Sequence, residues 1–144
     1  MAQLFGAVGG VLVLDAEGLV KLADGNAVAR SLYEDARGAR AAVVAAASTL
    51  TEVLRGGSRD SPVHRVLRRI DISPIDEVKG RAAGELLGRV GLSGHSHALD
   101  ALVAVVALAQ PRPVVLLTGD TKDMERLTEE PDRPRRERVA VVQV

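Results

Sequence analysis

The stretch Val11-Leu12-Val13-Leu14-Asp15-Ala16-Glu17-Gly18-Leu19 runs four apolar residues straight into a carboxylate. Apolar on both faces, it reads as a central strand of a parallel sheet rather than a one-sided antiparallel one. Ligands of open α/β sheets bind in the crevice beyond the strand carboxyl ends. Asp15 therefore stands either at a site of chemistry or as the cap of the turn or helix that follows. Val114 to Thr118, followed by Gly119-Asp120, repeats the pattern and puts a second acid at the same sheet edge.

Outward from these two stretches the chain alternates between strand and helix signals. A turn at Asp24-Gly25-Asn26 precedes a helix over 27–37, closed by Gly38. A short apolar strand over 41–45 leads to a helix over 48–55, where Thr49 and Glu52 match a capping box and Gly56-Gly57 ends the run. Pro62 opens a helix over 62–69. An edge strand over 71–75 and a helix over 76–90 follow, with Val78, Ala82, Leu86 and Val90 facing inward and Gly91 as the stop. A polar turn over 93–96 leads into the most apolar helix, 97–109, with Asp100 near its start, where the helix dipole alone would favour an acid. The strand at 114–118, a helix over 121–127, a polar loop over 129–138 and a strand over 139–142 complete the chain, after a lead-in over 1–10. Alternation of this kind predicts a three-layer α/β/α sandwich around a mainly parallel sheet.

The chain has 144 residues, 47% hydrophobic and 26% charged, which suits one globular domain spanning 1–144. Nineteen basic and nineteen acidic residues cancel, so long-range attraction to nucleic acid is not built into the net charge. The absence of cysteine excludes disulfides and thiolate metal sites and fits the cytoplasm. Phe5 and Tyr33 are the only aromatics, which disfavours recognition by base stacking. The apolar stretch at 7–14 has no basic flank before it and that at 101–109 is far too short to span a bilayer. A protein without membrane contact or export signal is expected.

Several chemistries fail on context. The glycines before Val11 precede the strand, whereas a Rossmann phosphate loop follows it. Gly91-Leu92-Ser93-Gly94-His95 lacks the last glycine of a nucleophile elbow and no strand enters it. His95-Ser96-His97 has a zinc-ligand spacing but no third histidine nearby and no strand end before it. Arg133, Arg135, Arg136 and Arg138 read as a solvated loop, with phosphate contact as the alternative.

What remains is Asp15, Glu52, Asp100 and Asp120. Two acids follow strands and two sit on helices that should begin at the same edge, so all four can share a pocket. Such a cluster repels itself unless a cation such as Mg²⁺ or Mn²⁺ neutralises it. The matching use is phosphodiester hydrolysis, where a metal lowers the pKa of a water, orients it and neutralises phosphate charge.

Over residues 11–127 these features resemble the PIN-domain family, and within it the VapC-type toxins of toxin–antitoxin pairs. The resemblance rests on Leu14-Asp15-Ala16, Leu50-Thr51-Glu52-Val53, Leu99-Asp100-Ala101-Leu102 and Leu117-Thr118-Gly119-Asp120, in that order. It implies a five-stranded parallel sheet ordered 3-2-1-4-5 and a Mg²⁺- or Mn²⁺-dependent endoribonuclease, restrained by a small antitoxin and forming a homodimer. By the same resemblance Thr118 would position the acids or the attacking water, and Asp123 would add a further metal-binding acid. Glu17 and His97 depart from it, one as an extra charge and the other as a histidine where some relatives carry an acid. The competing readings are a non-catalytic PIN-fold module that binds RNA or protein, and a nuclease acting on DNA. A pocket of acids also suits an arginine from an antitoxin. Leu32 and Leu54 either line a groove for its apolar helix or simply pack in the core.

Overall fold

A computed structural model describes residues 4–6 and 9–144. Part of the lead-in expected over 1–10, residues 1–3, 7 and 8, lies outside the described residues; within the rest, Phe5 is buried. The elements in order are β1 (Val11–Leu14), α1 (Ala16–Ala23), α2 (Ala27–Gly38), β2 (Ala42–Ala46), α3 (Thr49–Val53), α4 (Ser61–Leu67), β3 (Asp71–Ser73), α5 (Glu77–Val90), α6 (Gly94–Leu108), β4 (Val114–Thr118), α7 (Thr121–Leu127) and β5 (Ala140–Gln143). Short 3₁₀ turns at Ser58–Asp60 and Arg135–Glu137 sit in the connections. The sheet is parallel throughout, ordered β3-β2-β1-β4-β5, as the resemblance implied.

Strand alternation explains the three layers. Val11 and Val13 of β1, Val44 of β2, and Val114 and Leu116 of β4 face a core built with α5, α6 and α7. Leu12 and Leu14, Val43, and Val115 and Leu117 face the opposite core with α1, α2 and α4. Leu12, Val13 and Leu14 are fully buried. Each such side chain contributes about 1.5–3 kcal/mol of hydrophobic stabilisation, which fixes β1 at the centre and therefore fixes where Asp15 emerges.

The structure corrects several local expectations. Gly38 is not a left-handed stop: α2 runs through it, and Arg40 takes the left-handed conformation at φ 56°. Arg40 N–H donates to the Arg37 carbonyl and Ala41 N–H to the Ala36 carbonyl, the paired bonds of a Schellman ending with arginine in glycine's usual place. In α5 Leu86 is buried and Val90 packs against the same core as expected, joined by Ala83 and Leu87, whereas Val78 is 73% exposed. Gly91, at φ 77°, does end α5. The polar turn over 93–96 is instead the first turn of α6, which starts at Gly94 with Ser93 as its cap residue. Leu32 is buried and Leu54 packs partly buried against the same core, so core packing is the role of Leu32. β2 and β5 each begin one residue later than expected.

Between α6 and β4, Arg112 clamps the polar loop that follows α7. Its two terminal nitrogens meet both carboxylate oxygens of Glu130 at 2.5 and 3.1 Å, and they also donate to the Leu108 and Glu137 carbonyls. Arg133 adds a second ion pair to Glu130, and Arg138 donates to the Arg133 and Pro131 carbonyls. Three of the basic residues from Arg112 to Arg138 thus hold the loop to itself. Among the described residues no single helix is long and apolar enough to cross a membrane.

Candidate functional site

The C-terminal edge of the sheet carries a cleft of about 220 Å³ lined by Asp15, Ala16, Glu17, Glu52, Asp100, Val103, Gly119 and Asp120. Five of these eight are carboxylates, and no lysine or arginine is among them. Larger concavities lie against α4 (about 510 Å³) and between α2 and α4 (about 380 Å³). Their linings hold basic and apolar side chains, with Glu34 the single acid, so the chemistry points to the smaller cleft.

Asp15 is the most constrained member. Its backbone is extended after β1, and its Oδ1 accepts from Gly18 N–H at 2.7 Å, capping α1. Its Oδ2 accepts from the Thr118 hydroxyl at 2.5 Å and from Gly119 N–H at 3.4 Å. The two sequence readings of Asp15 are therefore not exclusive: it caps a helix and lines the cleft. Thr118, fully buried, accepts from Asp120 N–H at 3.0 Å while donating to Asp15. One hydroxyl thus ties the acid after β1 to the acid after β4. Asp120 in turn caps α7 by accepting from Asp123 N–H at 3.1 Å.

Glu52 comes from α3, directly after β2, and sits at the exposed rim. The capping box expected with Thr49 is absent: Ser48 makes no side-chain cap bond and the Thr49 hydroxyl is buried without a partner. Nothing local claims the Glu52 carboxylate. Asp100 is the seventh residue of α6, two turns in, beyond reach of the unpaired amides that make a helix start attractive to acids. Its dipole reading fails and its place in the cleft remains.

Three of the acids titrate high. Burial raises Asp15, outweighing the opposing donors Gly18 N–H, Thr118 and Gly119 N–H, and the Glu17 charge adds to the rise. Burial also raises Glu52, helped by the charges of Asp100 and Asp15. Asp100 is raised first by burial, eased by His97, then pushed up again by Asp120, Asp15 and Asp123. A carboxyl raised in the folded state binds its proton more tightly there than in the unfolded chain, so stability falls as pH rises through this range. Asp60 and Asp76 are lowered, mainly by backbone N–H groups; they act in the opposite sense only below the ordinary carboxylate range. The metal-free protein should therefore melt at higher temperature as pH is lowered from neutrality toward the ordinary carboxylate range, with a shallower slope in Asp100→Asn. Thermal melts in EDTA at stepped pH test this, and a melting temperature that drops over the interval contradicts it.

Sequence reasoning treated His97 as a departure and Asp123 as an addition. The structure pairs them: His97 Nε2 lies 3.1 Å from Asp123 Oδ2, and His97, Asp100 and Asp123 each offer a ligand atom within 4.8 Å of the others. The i,i+3 spacing of His97 and Asp100 was the available signal, since such residues share a helix face. His95 is exposed, and the His95/His97 pair does not converge. Another unforeseen contact comes from β5: Gln143 Nε2 donates to the Gly119 carbonyl at 3.1 Å, steadying the loop between Thr118 and Asp120. Glu17 lies so close across Gly119 that a Cβ there would meet its Cγ at 2.7 Å.

No protein-family model matches the sequence, and no curated protein matches it. Solved structures do match. One is the crystal structure of VapBC2 from Rickettsia felis bound to a DNA fragment from their promoter, 18% identical with a TM-score of 0.67, over 93% of this chain and 98% of that chain. Another is a toxin-antitoxin complex from Klebsiella pneumoniae, 23% identical with a TM-score of 0.57, over 78% of this chain and 88% of that one. At such identities the likeness establishes architecture: the chain has the PIN-like three-layer α/β/α fold that these toxin–antitoxin structures contain.

Proposed function

We propose that the protein is a metal-dependent endoribonuclease, the toxin of a VapC-type toxin–antitoxin pair acting in the cytoplasm. The observation that carries this is the convergence of Asp15, Glu52, Asp100 and Asp120 in one cleft whose lining has no cationic side chain. Their chemistry fits a hard divalent cation: oxygen donors, partly buried, with raised acids that stand to gain from a positive charge. Mg²⁺ or Mn²⁺ held by these acids, with Asp123 close by, would activate a water and neutralise charge on the scissile phosphate.

The chain's own residues do the positioning. Gly18 N–H and the Thr118 hydroxyl fix both oxygens of Asp15. Thr118 also sets Asp120 through its amide. The acids are thereby pre-arranged and need little reorganisation when substrate arrives. Glu52, at the rim and free of local partners, is placed to accept a proton from water entering the cleft.

The toxin role draws further support from the fold likeness to toxin–antitoxin structures. The partner is a small antitoxin that inserts an arginine among the acids, since guanidinium matches carboxylates and keeps its charge; the toxin itself acts as a homodimer. The deciding experiment incubates purified protein with single-stranded RNA, structured RNA and DNA, in Mn²⁺ or in EDTA. Endonucleolytic cutting of RNA that requires Mn²⁺ is expected. Preferential cutting of DNA, or RNA left intact in saturating Mn²⁺, overturns the assignment.

A further inference from the structure

We propose that His97, Asp100 and Asp123 form a second cation site flanking the carboxylate cleft, with Asp100 shared between the two, and that the His97 imidazole makes it select first-row transition ions such as Mn²⁺ or Co²⁺ over Mg²⁺. The inference deepens the proposed function by naming the cation class, and it rests on that reading only in taking the cleft acids as metal ligands.

Three observations carry it. First, the donor atoms are already gathered. His97 Nε2 and Asp123 Oδ2 are 3.1 Å apart, and the three residues offer atoms within 4.8 Å of one another. Neighbouring ligands of an octahedral ion with bonds of about 2.1 Å are separated by about 3.0 Å, so the pair needs almost no movement and Asp100 needs only a small one. Secondly, the two oxygens of Asp123 meet different neighbours. Arg126, anchored by Nη2 to the Val90 carbonyl, stands 4.0 Å from Oδ1 as a long ion pair, while Oδ2 meets His97.

Thirdly, the imidazole is engaged on one nitrogen only. Its Nδ1 is buried without a hydrogen-bond partner, so no contact there locks the ring into the tautomer that donates from Nε2. With the proton on Nδ1, the Nε2 lone pair faces the Asp123 carboxylate, beside which Asp100 completes the cluster. A nitrogen ligand shifts preference away from Mg²⁺, which favours all-oxygen sites, and toward ions further along the first transition row.

The sequence contains three histidines, His64, His95 and His97, which makes nitrogen ligation directly readable. Tag-free protein loaded with Mn²⁺ should give imidazole ¹⁴N modulation in pulsed electron paramagnetic resonance. The modulation should persist in His64→Gln and His95→Gln and vanish in His97→Gln. In His97→Gln, Mn²⁺ affinity should fall about 10- to 100-fold, while Mg²⁺ affinity changes less than about twofold. Wild-type protein saturated with Mn²⁺ but lacking ¹⁴N modulation overturns the proposal without recourse to any variant, as does modulation that survives His97→Gln. RNA cleavage in the absence of the nitrogen signal defeats this inference alone. The nitrogen signal without RNA cleavage upholds it and defeats the nuclease assignment.

Discussion

Asp100→Asn is expected to reduce Mn²⁺-dependent RNA cleavage by about 10²–10³-fold or more, the scale of several kcal/mol of lost transition-state charge stabilisation. It should leave the metal-free protein at least as stable as wild type. The asymmetry follows from what each oxygen does. Among the described residues none donates a hydrogen bond to Asp100, and against the single favourable neighbour His97 its charge faces Asp120, Asp15 and Asp123. Neutralising it removes repulsion and burial cost together. Asp15→Asn should be equally inactive but less stable, because an amide nitrogen facing Thr118 or Gly18 breaks one of the bonds that tie β1 to β4 and to α1. Melting temperatures in EDTA separate the two variants. Added Mn²⁺ should raise the wild-type value with concentration and raise those of the variants much less. Near wild-type cleavage by Asp100→Asn at saturating Mn²⁺ would remove Asp100 from the site.

Gly18→Val should be the most damaging single change outside the acids. A Cβ at Gly18 would lie 2.7 Å from the Leu117 carbonyl oxygen, a backbone atom of the buried strand β4 that also accepts from Asp15 N–H. Backbone in the middle of a sheet cannot step aside, so α1 must lift away. That costs about 2–4 kcal/mol, or on the order of 10 °C in melting temperature for a domain of this size. The Gly18 N–H bond to Asp15 should loosen with it, so activity should fall too. Gly119→Ala is the informative contrast, since the nearest atoms to a Cβ there are side-chain atoms of Glu17, its Cγ at 2.7 Å and its Cβ and Cδ at 2.9 Å, so a Glu17 rotamer change with a small shift of the exposed loop relieves what the strand backbone at Gly18 cannot. Equal losses in the two variants would mean that the approach of α1 to β4 is softer than the contact implies.

The sheet was legible because β1 and β4 are apolar without interruption, a pattern that only a strand covered on both faces requires. Burying both strands then forces their following acids to one edge, so the gathering of Asp15 and Asp120 follows from topology once the strands are read. Elements whose ends depend on weaker preferences were less legible. Ser93-Gly94-His95-Ser96 has the composition of a turn, yet with no proline to prevent it the apolar helix extends back through these residues. That shift moved Asp100 from the helix start into its second turn. Thr49 and Glu52 match a capping box in spacing, but α3 is only five residues long and begins with Ser48 already helical, which denies the cap its extended backbone. The His97–Asp123 contact spans 26 residues and joins two helices; its angle and depth are set by packing against the sheet, which no local pattern encodes.

The strand order has a consequence in time. The Thr118 hydroxyl that orients Asp15 lies 103 residues further along the chain. At synthesis rates of about 5–20 residues per second, some 5–20 s pass between the emergence of Asp15 and that of its partner. During that interval Asp15, Glu52 and Asp100 have all been made, but β4 is not there to pair with β1, and the edge that gathers the acids does not exist. A chain that stops short of β4 therefore carries Asp15, Glu52 and Asp100 but lacks Asp120 and the Thr118 hydroxyl that orients Asp15, so the cleft is completed only when synthesis is nearly over.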